Sequence, residues 1–186
     1  RLFHRSLLED TEAANLNVVV KRVTDFMRRL DVPGVTVEES SSPEALPALI
    51  QTAEIEQVLI NLCINSLEAM PQGGVLRIAV EQLRTRDHFQ PAMAAITVTD
   101  TGKGVDPRIA RGEYNIFQMP EFKPGQVGLG LLVSHRVIRR HGGKLSLHIL
   151  SPHGTRAEIL LPLQEESKVS KVPTSPPRPR RMASTA

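Results

Sequence analysis

The sequence predicts a single α+β domain in which a mixed, mostly antiparallel sheet packs under helices. Three segments have apolar residues at helical spacing, and five shorter runs have the length and flanking turns of strands. The strands that follow one another are separated by short polar or glycine-containing connections, which favours antiparallel pairing. With 186 residues and 40% hydrophobic content, the chain is large enough for one domain with a real core.

Each helix has a recognisable beginning or end. The first is predicted at residues 16–30, with Asn15 as its cap and Pro33-Gly34 as its stop. The second is expected to begin at a capping Thr52 and to end near Pro71. The third, at residues 128–140, is followed by two glycines.

The strands complete the expected order of helix, strand, helix, two strands, long loop, helix and two strands. The second and third strands are expected to pair with each other, as are the last two, and the second helix is expected to lie on the sheet. The predicted strands are residues 35–38, 75–80, 94–100, 144–150 and 155–163.

Both ends of the chain differ from its middle. Residues 1–14 have helical apolar spacing without a starting cap, and are predicted to be the end of a helix from a longer protein. Residues 15–163 form the predicted domain. Residues 164–186 are rich in proline and carry five basic side chains and no acidic one from Ser167 onward, which predicts a disordered basic tail.

Composition excludes several classes of function. With no Trp, one Tyr and five Phe, a stacking surface for single-stranded nucleic acid is not expected. The one cysteine, Cys63, rules out a disulfide framework and suits a reducing compartment. No apolar run approaches the length of a membrane helix, so a cytoplasmic domain is expected; whether a parent protein is membrane-anchored is left open.

The second helix carries one polar stripe on an otherwise apolar surface. Gln57, Asn61, Asn65 and Glu68 recur at helical spacing and therefore share one face. Because a buried amide without partners is costly, two asparagines one turn apart indicate the wall of a polar pocket.

A carboxylate ends the third predicted strand. Period-two alternation places Asp100 on the same face as Ile96 and Val98, which is the buried face. A buried carboxylate needs donors, and the exocyclic amine of adenine would be a suitable one. The alternative is that Asp100 receives only backbone N–H groups of its own Asx turn.

Glycines also open the last helix. Gly128 and Gly130, preceded by Lys123, would leave free N–H groups at a helix N-terminus, where a triphosphate could bind. An asparagine oxygen on the second helix could ligate Mg²⁺, which takes phosphate oxygens as further ligands.

In their order and spacing, four segments resemble the N-box, first glycine box, F-box and second glycine box of the ATP-binding domain of sensor histidine kinases. This family shares a superfamily with gyrase, heat-shock and mismatch-repair ATPases. The resemblance covers about residues 15–163, including His141-Gly142-Gly143 and Gly154-Thr155. The four segments are residues 57–70, 100–104, 115–117 and 128–130.

The resemblance implies a Bergerat-type two-layer α/β sandwich that binds ATP and Mg²⁺. It implies that Asp100 accepts a hydrogen bond from the adenine amine and that Thr155 supports the base pocket through a water molecule. It also implies that Asn65 holds the metal. Residues 105–127 would be a lid over the nucleotide. The implied ATP site comprises Asn61, Asn65, Asp100, Gly102, Gly104, Phe117, Lys123, Gly128, Leu129, Gly130 and Thr155.

Three departures from the family pattern keep a second hypothesis open. Gln126 stands where the second glycine box usually opens with Gly, and the short lid places Glu121 near a polyanion site. These two features favour a nucleotide-free pseudo-kinase that docks a response regulator or phosphotransfer partner. The third departure is Asn61, which stands where ATP-hydrolysing cousins carry a Glu that activates water, so slow hydrolysis is expected.

The partners follow from the resemblance. They would be a dimerisation domain carrying the acceptor histidine and a response regulator, with a homodimer in the full-length protein. His4 lacks the acidic neighbour of an acceptor motif, so this chain contains no expected phosphoacceptor and should be inactive alone. Arg136, Arg139 and Arg140 form a basic face that is either solvated or contacts an acidic partner.

Overall fold

The computed structural model describes residues 11–83, 92–104 and 128–164, and places three helices and seven strands in them. The helices are α1 (Leu16–Arg29), α2 (Thr52–Glu68) and α3 (Gly128–Arg140). The strands are β1 (Glu12–Asn15), β2 (Val35–Ser40), β3 (Pro47–Ile50), β4 (Gly74–Leu83), β5 (Met93–Asp100), β6 (Lys144–Ile149) and β7 (Thr155–Pro162).

The main sheet has five strands in the order β2-β4-β5-β7-β6. The β2–β4 pair is parallel, and the other three pairs are antiparallel. Both predicted antiparallel pairs, β4 with β5 and β6 with β7, are confirmed. The expected α+β class with a mixed, mostly antiparallel sheet is therefore confirmed.

The core lies between this sheet and the helices. Along β4, the alternate residues Leu76, Ile78 and Val80 are each at most 2% exposed. Helix α2 packs on β4 and β5 and against both other helices, which is why it buries apolar residues on more than one side. The predicted position of this helix on the sheet is confirmed.

Helix α1 begins as predicted. The side chain of Asn15 accepts from the backbone N–H of Asn17 at 3.1 Å and also from the N–H of Leu46 at 3.1 Å. The cap therefore also holds the segment that leads into β3. Two apolar residues of the predicted helix, Phe26 and Leu30, remain 38% and 45% exposed. The buried face of α1 is therefore narrower than the apolar spacing of the sequence indicates.

Helix α2 begins at the residue predicted to cap it, so its N-cap lies one residue earlier than predicted. Gln51 is the N-cap residue, and Thr52 is already helical and donates its hydroxyl to Glu12 Oε1 at 2.8 Å. The N–H of Gln51 donates to Nε2 of His141, whose Nδ1 is 2.8 Å from the carbonyl oxygen of Val137. A histidine from the end of α3 thus fixes the start of α2. At its other end, α2 stops at Glu68.

Two short strands are absent from the sequence prediction. Strands β1 and β3 pair antiparallel as a separate two-stranded sheet. Residues 12–14 are therefore strand, where the sequence indicated the end of a helix, because their backbone hydrogen bonds go to β3. Residues 1–10, the predicted lid and residues 165–186 of the predicted tail lie outside the described residues.

Among the helices that the structure describes, none combines the length and apolarity required to cross a bilayer.

Candidate functional site

The predicted carboxylate Asp100 lies at the end of β5 and is 3% exposed. Its Oδ1 accepts from the backbone N–H of Gly102 at 2.9 Å and of Thr155 at 3.2 Å. Its Oδ2 accepts the hydroxyl of Ser66 at 3.1 Å. The bond to Gly102 is the Asx turn that the sequence left as an alternative, but it uses only one of the four acceptor positions of a carboxylate.

Together, Asp100, Ser66, Gly102 and Thr155 form what we call the Asp100 cluster. In the part of the chain that the structure describes, no Lys, Arg or His pairs with Asp100, so neutral donors alone compensate its burial. Three donors leave one acceptor position of Oδ2 for a further N–H or O–H group. The cluster is therefore able to accept one more hydrogen bond.

Thr155 faces Asp100 across the β5–β7 pair, where the two residues are register partners. Its hydroxyl oxygen is buried and has no hydrogen-bond partner among the described residues. Buried polar atoms are nearly always paired, so an orphaned hydroxyl beside a carboxylate with spare capacity is a candidate position for a bound ligand or water molecule. A group carrying both a donor and an acceptor would suit the pair.

Glycines bring the surrounding backbone close to this cluster. A Cβ on Gly102 would lie 2.5 Å from the carbonyl oxygen of Ala69, at the end of α2. The adjoining N–H of Lys103 donates to that same oxygen at 3.0 Å. At Gly154, φ is +107° and a Cβ would lie 2.2 Å from the carbonyl oxygen of Asp100. Gly104 has φ +79° and more space.

The predicted polar stripe of α2 is only partly buried. Gln57 and Glu68 are exposed, whereas Asn61 and Asn65 are of intermediate burial. The side-chain amide of Asn65 makes no hydrogen bond among the described residues, so its oxygen is available to a ligand. The stripe thus has a half-buried middle part, formed by Asn61 and Asn65, between two exposed ends.

Asn61 has a partner within the protein. Its Nδ2 donates to Oγ of Ser134, which is 2% exposed on α3, at 3.0 Å. A Cβ on Gly130 would lie 2.3 Å from Oδ1 of Asn61. This side chain thus joins α2 to the first turn of α3, and the glycine there is required by the close approach.

Two of the predicted site residues, Phe117 and Lys123, lie outside the described residues. The same holds for Glu121 and Gln126. Gly128 and Leu129 belong to the first turn of α3, as predicted for residues that open this helix.

Cys63, on α2, is buried and does not belong to a metal site. Burial raises the pKa of its thiol from 9.0 to about 12, so it is neutral and unreactive at ordinary pH. The described residues contain no cluster of three or more His, Cys, Asp or Glu side chains able to hold a metal ion. Cys63 packs within the hydrophobic core of the domain.

The geometry can now be compared with known proteins. The family model for histidine kinase-, DNA gyrase B-, and HSP90-like ATPases matches residues 51–165, which is more than half of the chain. The chain belongs to this ATPase family. The matched range runs from the N-cap of α2 to just beyond β7, and so contains the whole Asp100 cluster.

The curated relatives of this ATPase domain include sensor histidine kinases. Sporulation kinase C of Bacillus subtilis (strain 168) is 30% identical over 154 residues, covering 82% of this chain and 34% of that protein. The sensory histidine kinase/phosphatase NtrB of Escherichia coli O157:H7 is 29% identical over 164 residues, covering 77% of this chain and 45% of that protein. The chain thus spans less than half the length of these relatives.

A solved structure supports the same assignment. The catalytic domain of histidine kinase ThkA, in a nucleotide-free form, matches with a TM-score of 0.66 at 25% identity, covering 82% of this chain and 97% of that one. The predicted membership among the ATP-binding catalytic domains of sensor histidine kinases is confirmed.

Sequence reasoning missed two residues that shape this ATPase domain. Ser66 follows Asn65 directly, and the sequence pattern does not distinguish it from the apolar residues of α2. Its hydroxyl nevertheless donates to Asp100. His141 stands out in the sequence only as part of a glycine motif, yet its side chain is 4% exposed and joins two helix ends. A polar residue on the buried side of a predicted helix is the signal that would have found Ser66.

Proposed function

We propose that this chain binds Mg·ATP and is the catalytic domain that phosphorylates a histidine on a dimerisation domain outside this chain. The observation that carries the proposal is the Asp100 cluster. It combines a buried carboxylate that retains one acceptor position with a buried, unpaired hydroxyl on Thr155. The exocyclic amine and ring nitrogen of adenine supply the matching donor and acceptor.

In this proposal, Asp100 accepts from the adenine amine and Thr155 supports the base through a water molecule. Gly102 and Gly104 border the base: a Cβ on Gly102 would clash with the carbonyl oxygen of Ala69, and Gly104 has the positive φ that favours glycine. Gly128, Leu129 and Gly130 bind phosphates at the N-terminus of α3, where unpaired backbone N–H groups and the helix dipole favour anions. Phe117 and Lys123 would contribute from the lid.

Asn65 is the proposed magnesium ligand. Its amide oxygen has no partner among the described residues, and Mg²⁺ usually takes few protein ligands together with waters and phosphate oxygens. The lack of a carboxylate cluster in the described part of the chain is therefore compatible with this ion when phosphates are present. When bound, the ion would neutralise charge on the phosphates.

The position of Asn61 favours transfer over hydrolysis. Its amide is bonded to Ser134, and it has no carboxylate that could remove a proton from water. We propose that the γ-phosphoryl group instead goes to a histidine of the dimerisation domain, within a homodimer of the longer protein, and from there to a response regulator. The proposed location is cytoplasmic.

The experiment is isothermal titration of the 186-residue chain with ATP, with and without Mg²⁺, for the wild type and Asp100→Asn. The side-chain amide of asparagine places an N–H donor where the carboxylate has an acceptor oxygen. Two donors, this amide and the adenine amine, would then face each other. We expect saturable, magnesium-dependent binding by the wild type and at least about a tenfold loss in the variant, which is about 1.4 kcal/mol. Unchanged affinity in the variant would exclude this mode of base recognition.

The same titration decides the pseudo-kinase alternative. A chain that has lost nucleotide shows no saturation at millimolar Mg·ATP and no rise in melting temperature, because a ligand stabilises only the state that binds it. Thr24→Val is the matched control for Asp100→Asn, since Thr24 is a buried polar residue whose hydroxyl bonds within α1.

A further inference from the structure

Ser66 connects the second helix to the proposed base site. It is 6% exposed, and its hydroxyl donates to Oδ2 of Asp100, a residue 34 positions later in the chain. We propose that Ser66 is a positioning residue that sets the selectivity for adenine by fixing the plane of the Asp100 carboxylate. This inference rests on the proposed function and adds to it the residue that determines base selectivity.

The bond pattern of Asp100 shows why one more donor is needed. Both backbone donors, the N–H groups of Gly102 and Thr155, converge on Oδ1. Two bonds to one oxygen restrain the carboxylate plane only weakly, because the terminal torsion about Cβ–Cγ of Asp has a broad energy well and a modest rotation changes both bonds to Oδ1 only slightly. Among the described residues, Oδ2 is held by Ser66 alone. Ser66 therefore fixes the orientation of the oxygen that still has an acceptor position.

Ser66 does not behave as most helix serines and threonines do. Such hydroxyls usually bond back to a carbonyl of the preceding turn, as Thr24 does in α1, where its Oγ1 donates to the carbonyl oxygen of Val20 at 2.9 Å. Ser66 gives its hydroxyl to a different element of the fold. The two residues are both buried on core-facing helix sides, so Thr24 is a matched reference for the loss of a hydroxyl.

A structural role and a positioning role predict different results. If Ser66 only fastens α2 to β5, its removal lowers stability and weakens all nucleotides alike. If Ser66 orients Oδ2, its removal weakens ligands that donate to Oδ2 and spares those that do not. Inosine triphosphate provides the comparison, because its base carries an oxygen in place of the exocyclic amine of adenine.

The test measures dissociation constants of the magnesium complexes of ATP and inosine triphosphate for the 186-residue chain. The variants are Ser66→Ala, which removes the hydroxyl, and Thr24→Val, which removes a buried hydroxyl elsewhere. We expect the wild type to prefer ATP and Ser66→Ala to lose about tenfold in ATP affinity with little change for inosine triphosphate. We expect Thr24→Val to keep the wild-type ratio of the two dissociation constants, that of ATP and that of inosine triphosphate.

Two outcomes would overturn the inference. Unchanged affinities for both nucleotides in a folded Ser66→Ala would show that the hydroxyl does not set selectivity. An equal loss for both nucleotides would assign Ser66 a structural role only. If Ser66→Ala does not fold, Ser66→Cys, whose thiol is a weak donor, is judged by the same ratio. Absence of ATP binding by the wild type would overturn the proposed function itself, which distinguishes the two failures.

Discussion

Replacing Gly102 by alanine tests how closely the turn after β5 must approach the end of α2. The added Cβ would lie 2.5 Å from the carbonyl oxygen of Ala69 and 2.8 Å from its carbonyl carbon and Cβ, whereas an ordinary contact is 3.4 Å or more. The turn must therefore move by about 0.9 Å, against the C-cap residue of α2, whose N–H is bonded to the carbonyl oxygen of Asn65. The methyl group of alanine is the only group added.

The magnitude follows from two contributions. Overpacking of this size costs roughly 1–3 kcal/mol, and the bond from the N–H of Lys103 to the oxygen of Ala69, now 3.0 Å, would stretch beyond reach for about 1 kcal/mol more. We expect Gly102→Ala to lower the free energy of unfolding by roughly 2–4 kcal/mol and the melting temperature by roughly 5–15 °C.

The assay is urea unfolding followed by far-ultraviolet circular dichroism, because the chain has no tryptophan to report by fluorescence. Gly104→Ala is the matched control. It lies two residues away at φ +79°, where a Cβ would meet its nearest atom, the oxygen of Gly154, at an acceptable 3.5 Å. Its cost should be limited to backbone strain, about 1–2 kcal/mol. If the Gly102→Ala variant proves as stable as the Gly104→Ala variant, or more stable, the reasoning is refuted.

Three further predictions concern single buried groups. Thr155→Val should raise the free energy of unfolding of the nucleotide-free chain by about 1 kcal/mol in urea unfolding, because it removes a buried hydroxyl without a partner; a loss of stability would contradict this. In a double-mutant cycle, Asn61→Ala and Ser134→Ala should show a coupling of about 1 kcal/mol, the value of their hydrogen bond, and additive costs would show that the bond contributes nothing. Because burial raises the pKa of Cys63 from 9.0 to about 12, the unfolded chain ionises first, and stability should fall between those pH values by up to about 1.4 kcal/mol per unit. Cys63→Ala should lack this part of the slope, and an identical pH dependence of both proteins would be evidence against a buried thiol.

Much of the main sheet could be predicted because its signals are local. The alternation that places Asp100 beside Ile96 and Val98 is a property of consecutive residues, and the structure buries all three. The helix cap at Asn15 is likewise decided by one side chain and the adjacent N–H groups. These features need no knowledge of distant partners.

The features that the sequence did not predict depend on distant partners. Strand β1 forms because its backbone pairs with β3, more than thirty residues later. The start of α2 is set by His141 and not by a local cap, and Ser66 is polar on a buried side because Asp100 lies opposite. The bond of Asn61 to Ser134 likewise needs two helices to meet. Spacing along one helix could not reveal any of these contacts.

The measurement that tests the central claim most directly is a titration of the isotope-labelled chain with Mg·ATP followed by amide nuclear magnetic resonance. The backbone N–H groups of Gly102 and Thr155 both bond Oδ1 of Asp100, so they report on any ligand that reaches this carboxylate. We predict saturable shifts of these two resonances, while that of Gly34, in the turn between α1 and β2, stays in place. Unchanged Gly102 and Thr155 resonances at millimolar Mg·ATP would contradict the claim that Asp100 recognises the base.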